Sequence, residues 1–376
     1  MDGGESSSYW VSQAELEYPM RCDNTKKTVL KKGLLLFFLS VLPLCLLNGW
    51  SRRSQTMTAI NTCAFYNCGS SRNMTILLWY WPFGRSFSLR GDVCWDLYRI
   101  PRCRLVDQRS LFPSADVVVF HNRELVLGHQ KLPFDLPRPQ DQRWAWMSLE
   151  SPNYNGNLQH YANVFNMTIT YRRDADITVP YGELLPKEGE GHVMEDVPLN
   201  KSFLVCWVVS NYRSHHKRSK VYHELIDTVP VRVYGRWTKA PLTTKALLPT
   251  ISHCYFYLAF ENSVAKDYIT EKLWRNAYQG GAVPVVLGPP LHDYKAVAPP
   301  NSFIHVDEFA SIKDLGKHLQ QLAEDKKRYS EYFTWKHHWK VKLYKDWRER
   351  LCKICSKYNS SVQQKVYSDL EAWVHA

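Results

Sequence analysis

The stretch 259-AFENSVAKDYITEKLWRNAYQGGAVPVVLGPP-290 joins two apolar runs through a dense polar patch of Glu261, Asn262, Asp267, Tyr268, Glu271 and Lys272. Such groups cost free energy when buried unpaired, so the patch calls for a partner. The flanking runs, CYFYLAFEN (254–262) and AVPVVLG (282–288), are continuously apolar rather than alternating. That is the pattern of strands covered on both faces, hence of a parallel sheet between helices. Between the runs, Asp267 or Thr270 is placed to cap a helix reaching about Gln279, which Gly280 and Gly281 stop. At about 100° per residue Tyr268, Glu271 and Lys272 share one face of that helix. Ile269, Leu273 and Ala277 share another, suited to packing on the sheet.

Similar runs recur outward from this segment. TILLWYW (75–81), ADVVVFH (115–121), RWAWMSLES (143–151) and DITVPYG (176–182) lie in the first half; FLVCWVVSN (203–211), VRVYG (231–235) and FIHVD (303–307) lie in the second. The stretch SIKDLGKHLQQLAEDKKRYSEYF (311–333) has helical periodicity and PKEGEGHVMEDVPLNK (186–201) reads as a linker. The economical architecture is α/β, with two doubly wound domains, 73–190 and 191–345, facing a cleft, followed by a C-terminal segment 346–376. Ligands bind such sheets outside the carboxyl ends of the strands. Three runs deliver polar groups there: Glu150 in the third, Ser210 and Asn211 before the basic YRSHHKRSK, and Glu261 with Asn262.

The chain has 376 residues and a net charge of +12, suited to nucleic acid, an anionic membrane or an anionic substrate. Residues 1–50 hold five basic and five acidic groups, so the whole excess lies beyond them. The segment GLLLFFLSVLPLCLLNGW (33–50) is uncharged and almost entirely apolar, short but long enough to span a bilayer. A cleaved signal peptide is the rival reading. The polar tail 1–32 ahead of it and the lack of a small-x-small site after it favour a signal anchor. Lys26, Lys27, Lys31 and Lys32 outweigh Arg52 and Arg53, which keeps the tail cytosolic. The stem 51–72 and all that follows are then lumenal, a single-pass type II topology that excludes nucleic acid as a partner. In the lumen the sequons at Asn73, Asn166, Asn200 and Asn359 are usable, and eight of the ten cysteines sit in an oxidising compartment. Cys352 and Cys355 in CKIC have the spacing of half a zinc knuckle, but no second pair completes it, so a local disulfide is preferred and no metal is assigned.

The helix expected beside Asn262 offers free N–H groups to a phosphate, and Lys272 adds a point charge; the plain alternative is a surface Glu–Lys pair. Arg213, Lys217, Arg218 and Lys220 form either a solvated helix face or a clamp for a diphosphate, a task suited to the planar fork of arginine. Glu150, near Trp144 and Trp146, suits a general base of raised pKa, or else caps a turn. The DAD of 174–176 imitates an Asp-x-Asp metal motif, yet beside YRR an ion-paired turn is preferred.

FENSVAKDYITEKLWRNA followed by GAVPVVLGP resembles the donor-binding signature of the α-(1,3)-fucosyltransferases, glycosyltransferase family ten. WAWMSLESP, TYRRDADITVPYG and FIHVDEF match as well, so the resemblance spans residues 73–376. DWRERLCKICSKY, VYSDLEAWVHA, NMTILLW and GDVCWDLYRIPRC are similar to the leukocyte-type branch, which makes sialyl Lewis x. The resemblance implies a GT-B fold, with Arg218 and Lys272 on the diphosphate of GDP-fucose and Glu271 at the sugar hydroxyls. It places Asn262 and Tyr268 at further donor contacts and Glu150 as the general base; Ser210 and Asn211, at the neighbouring strand end, join the donor-binding set. It implies disulfides Cys94–Cys103 and Cys352–Cys355, leaving Cys254 unassigned. It also implies inverting transfer with no required cofactor, Mn²⁺ entering only as a stimulant. The partners are sialylated lactosamine glycans on glycoproteins and glycolipids, in the Golgi membrane. The long cytosolic tail departs from the group. The alternative is a membrane-anchored carbohydrate-binding protein of the same fold without turnover, against which the complete donor set argues.

Overall fold

A computed structural model describes residues 73–188, 201–358 and 365–376. The tail, the apolar segment 33–50, the stem, most of the linker, Asn200 and Asn359 lie outside the described residues. Among the described residues no helix is long and apolar enough to cross a membrane.

Strands β1 (Met74–Leu78), β2 (Cys103–Val106), β3 (Val117–His121), β4 (Arg143–Met147), β5 (Met167–Thr170) and β6 (Ile177–Thr178) form one sheet, in the order β2-β1-β3-β4-β5-β6. After β7 (Gly182–Pro186) come β8 (Phe203–Val208), β9 (Val231–Tyr234), β10 (Cys254–Phe260), β11 (Val283–Leu287) and β12 (Ile304–His305), which form a second sheet in the order β12-β11-β10-β8-β9. Every pairing in both sheets is parallel. Each of the nine apolar runs contains a strand. The run DITVPYG breaks at Pro180, and its end begins β7, which pairs antiparallel with β13 (Trp339–Leu343). Three strands carry too weak an apolar pattern to stand out in sequence: β2 (CRLV), β5 (MTIT) and β13 (WKVKL).

The continuous apolarity has a direct cause. Along β1, Ile76 and Leu78 enter a core that reaches across both halves of the chain, while Leu77 and Trp79 enter a separate core on the opposite face. That second core is closed by Tyr367, Leu370 and Val374 from the C-terminus. The second sheet buries its outer face under helices Lys217–Ile226 and Ile312–Glu324, through Val221, Leu225, Leu315, Leu319 and Leu322. The helical stretch 311–333 is two helices. Ser311 caps the first, accepting from the Asp314 N–H at 3.1 Å, and Asp325 caps the second, accepting from Arg328 at 3.0 Å.

The disulfides differ from the expected pairing. Cys94 joins Cys352, Cys103 joins Cys355, and Cys254 joins Cys206 of the neighbouring strand β8. Cys352 and Cys355 stand three apart on helix Trp347–Lys357 and so face the same way. That face packs on helix Val93–Tyr98 and β2, where Cys94 and Cys103 wait as partners. The C-terminal segment is thereby stapled to the first sheet.

Candidate active site

Both sheets have the order 2-1-3-4-5, with one further strand on the first, so each has a point between its first and third strands where the winding direction reverses. Ligands settle in the crevice at such a point, outside the carboxyl ends. In the second sheet that point lies between β8 and β10, which end just before Ser210 and Asn211 and just before Glu261 and Asn262. The polar patch of the opening segment is therefore where the topology places a ligand.

Arg218 lies in the first turn of helix Lys217–Ile226 and is buried, 5% exposed, with a guanidinium NH2 donating to the Asn211 carbonyl. Its neighbours divide from it: Lys217 is exposed and paired with Asp307 at 3.2 Å, and Lys220 is exposed. So one arginine of the basic run turns inward while its lysines keep a solvated face. Ser210 and Asn211 are half-buried beside it.

Lys272 is held by three acceptors, Glu261 Oε2 at 2.9 Å, Glu271 Oε1 at 3.3 Å and Thr270 Oγ1 at 2.8 Å. Burial disfavours its ammonium, but Glu261 and Glu271 outweigh that and hold it charged, above the ordinary lysine range. Glu261 is buried and also accepts from the Thr270 N–H at 2.8 Å and hydroxyl at 2.9 Å. Gly288 leaves room for it, since a Cβ there would sit 2.9 Å from Glu261 Cγ. Burial raises the Glu261 carboxyl; for Glu271, burial is overcome by Lys272 and Arg275, which hold it low.

The local helix departs from expectation. Residues Lys272–Gln279 form a π-helix, and its first flanking position is Glu271 without a side-chain cap. Neither Asp267 nor Thr270 caps it, because each is spent elsewhere: Thr270 on Glu261, and Asp267 on Arg173 of the first half at 2.5 Å. Asp267 adopts a left-handed φ of 58° to do so. Tyr268 thus precedes the helix and is buried, its ring packed on Tyr171 and Tyr181. Its hydroxyl is pushed well above the usual range by burial first, then by Tyr181, Glu150, Glu261 and Glu271. That list of neighbours marks where the two halves converge.

Glu150 sits three residues beyond the end of β4, its N–H donating to Ser148 Oγ at 3.2 Å. The turn is fixed by Tyr181, whose hydroxyl donates to Leu149 O at 2.5 Å, and by Ser151, whose Oγ meets Ser263 Oγ of the second half at 2.8 Å. Burial pushes the Glu150 carboxyl up, opposed by His121, Arg123 and Lys272 and reinforced by Glu271. A carboxylate of the first sheet is thus within electrostatic reach of a lysine and a carboxylate of the second half.

Among the described residues, the buried polar atoms near this convergence without a hydrogen-bond partner include Arg218 Nε, Asn262 Oδ1 and His216 Nδ1. Buried polar groups are ordinarily satisfied, so a ligand that both accepts and donates fits here. The DAD residues are engaged otherwise, Asp174 with Arg172 and Lys266 at 2.8 and 2.9 Å, Asp176 with Lys365 at 3.0 Å. A separate cavity of about 450 Å³ touches Asp267 and Ile269 but none of Glu150, Arg218, Asn262 or Lys272.

The family description "Fucosyltransferase, N-terminal" matches residues 71–182, and "Glycosyltransferase family 10 (fucosyltransferase) C-term" matches 198–373. The chain belongs to glycosyltransferase family 10. Within this fucosyltransferase family, it is 47% identical to rat alpha-(1,3)-fucosyltransferase 7 over 81% of its length and 80% of the relative's. It is 44% identical to the human protein of that name, over 81% and 86%. Bovine 4-galactosyl-N-acetylglucosaminide 3-alpha-L-fucosyltransferase 9 is 41% identical, over 81% and 83%. A crystal structure titled alpha1,3-fucosyltransferase with GDP-fucose shares the fold, with a TM-score of 0.51 at 18% identity over 81% of this chain and 95% of that one.

Of the site residues expected from sequence, Glu150, Arg218, Tyr268, Glu271 and Lys272 act on one another electrostatically, and Ser210, Asn211 and Asn262 flank them at the strand ends. Glu261, the buried counter-ion of Lys272, was legible only as a polar strand end. Of the sequons within reach, Asn73 is exposed. Asn166 is half-buried, with Oδ1 accepting from Trp144 N–H at 3.1 Å and Nδ2 donating to Lys365 O at 3.1 Å. A glycosylated asparagine keeps one N–H on that nitrogen.

Proposed function

We propose that this family member transfers L-fucose from GDP-fucose, in α1,3 linkage and with inversion, to the N-acetylglucosamine of sialylated N-acetyllactosamine chains. The architecture is read as GT-B, the 73–190 half holding the acceptor and the 191–345 half the donor. The observation that carries the reading is the meeting of a lone carboxylate from one sheet with paired cations and orphaned buried polar atoms from the other.

Each group has a task. Arg218 offers an unpartnered N–H to the diphosphate, and Lys272 supplies a fixed ammonium. Their charge stabilises GDP as it leaves, a role that preorganised cations fill without metal. Glu271, partly exposed, and Asn262, with a free oxygen, are the acceptors for donor hydroxyls. Glu150, its proton affinity raised by burial, takes the proton of the acceptor 3-hydroxyl as that oxygen attacks the anomeric carbon. One base and one departing diphosphate suit a single displacement. A signal anchor over 33–50 would place the site in the Golgi lumen, where glycoprotein and glycolipid chains pass.

The sialylated acceptor is supported by the excess positive charge beyond residue 50 and by the resemblance of the C-terminal segment to the branch that acts on sialylated chains. Purified chain is incubated with GDP-fucose and either 3′-sialyl-lactosamine or neutral lactosamine. The reading expects fucosylated product, higher kcat/KM with the sialylated acceptor, and a preference that shrinks as salt rises. Absence of transfer to both acceptors would leave a carbohydrate-binding protein; equal rates at low salt would remove only the sialic acid preference.

A further inference from the structure

The first sheet has its own winding reversal, between β1 and β3. The residue at the carboxyl end of β3 is His121, 2% exposed. Its Nδ1 lies 2.5 Å from Oε2 of Glu124, which is itself buried. The other oxygen of Glu124 accepts the Phe83 N–H at 2.8 Å, at a residue held in the left-handed region with φ of 57°. Tyr80, just past β1, donates its hydroxyl to the His121 carbonyl at 2.9 Å. Two rings touch the imidazole, Phe83 at 5.3 Å and Trp347 at 5.4 Å, and they touch each other at 6.2 Å. Among the described residues nothing hydrogen-bonds Nε2, and it is not among the sealed, unpartnered atoms.

Such a pair is costly unless used: a buried carboxylate, a left-handed phenylalanine and an oriented imidazole are assembled at a ligand-binding edge. Trp347 arrives from the C-terminal helix that the two long-range disulfides tie to this sheet, so its contact with His121 is made only in the finished fold. β3 and β4 are adjacent, with His121 in register with Met147, three residues before Glu150. We propose that Glu124–His121 is a positioning pair for Glu150, fixing an imidazole beside the base so that it is ionised when the acceptor hydroxyl arrives.

The proposal rests on the reading of Glu150 as the base. Four ionisable groups act on Glu150, His121 at the end of β3, Arg123 on the helix Asn122–Val126, and Glu271 and Lys272 across the cleft, with Tyr171 and Tyr268 beside it. Among the charges, His121 acts most strongly. On His121 itself bear Glu124, fixed by Phe83 and kept ionised, since the His121 bond and charge overcome its burial.

The test is the pH profile of kcat/KM in full-length chain carrying His121→Asn or Glu124→Gln. Asparagine supplies an N–H near the Nδ1 position and keeps the bond to Glu124 while removing the Nε2 edge. In His121→Asn the acid limb is expected to move up by about one pH unit, a roughly tenfold loss on the acid side that closes at alkaline pH. Glu124→Gln shifts it the same way by less, and the Kd for GDP stays within about twofold of the parent in both. A profile superimposed on the parent's in either folded variant overturns the proposal, as does a loss equal at every pH. If His121→Asn does not fold, Glu124→Gln decides alone. Parent chain that lacks transfer, or that keeps it after Glu150→Gln, would instead overturn the reading of the base.

Discussion

Replacing Arg218 with lysine tests the donor site while leaving its charge in place. One arm of the guanidinium donates to the Asn211 carbonyl, and among the described residues Nε has no partner, which leaves it for a phosphate. A lysine ammonium is a single point and cannot serve the carbonyl and a phosphate together. The variant therefore forfeits one charge-assisted hydrogen bond, about 1.5–3 kcal/mol. That corresponds to a Kd for GDP raised by about 10- to 150-fold. Isothermal titration with GDP reads this directly, and the KM for GDP-fucose should rise while that for acceptor changes little, because Arg218 belongs to the second sheet. A melting temperature close to the parent's confirms that the buried site still folds. A Kd within threefold of the parent in folded protein would refute a fork on the diphosphate.

Glu150→Gln keeps the shape of the turn and should bind GDP normally while losing about 10²–10⁴-fold in kcat; near-normal turnover would exclude Glu150 as the base. Because burial raises the Glu150 carboxyl, the parent's kcat/KM should fall as pH drops through a value above that of an ordinary glutamate, measured as the acid limb of the profile. If Arg218, Lys272 and the helix ends neutralise the diphosphate, EDTA should leave substantial activity; complete loss restored by Mn²⁺ would return attention to Asp174 and Asp176. Peptide mapping without reduction should recover Cys94 linked to Cys352 and Cys103 to Cys355, and recovery of Cys94–Cys103 would refute that pairing.

Where the candidate site residues stand was readable because strand ends obey a simple rule. Apolar runs declare strands, parallel sheets expose their carboxyl ends to ligand, and Glu150, Asn211 and Asn262 stand just beyond such ends. Local periodicity read the segment 267–279 less well. It predicted an α-helix capped by Asp267 or Thr270, whereas Glu261 takes Thr270, remote Arg173 takes Asp267, and the helix opens as a π-helix. Propensity cannot foresee an ion pair with Arg173, ninety-four residues away. His121 closed a run that was plain in sequence, yet nothing local marked it, because Glu124 is one turn on while Phe83 and Trp347 are remote.

By itself the sequence determined most of the strands, their burial on both faces, the polar groups at their ends and the inward arginine's candidacy among four basic residues. These depend on neighbours in the chain, through apolar pattern and turn chemistry, which is short-range information. Only the tertiary structure decided which sulfurs pair, which of the basic run turns inward, and that Glu261 holds Lys272. Each of those is a choice among competing partners or orientations that local pattern does not rank. Such a choice is settled when packing buries the groups together and the unpaired alternatives become too costly to keep.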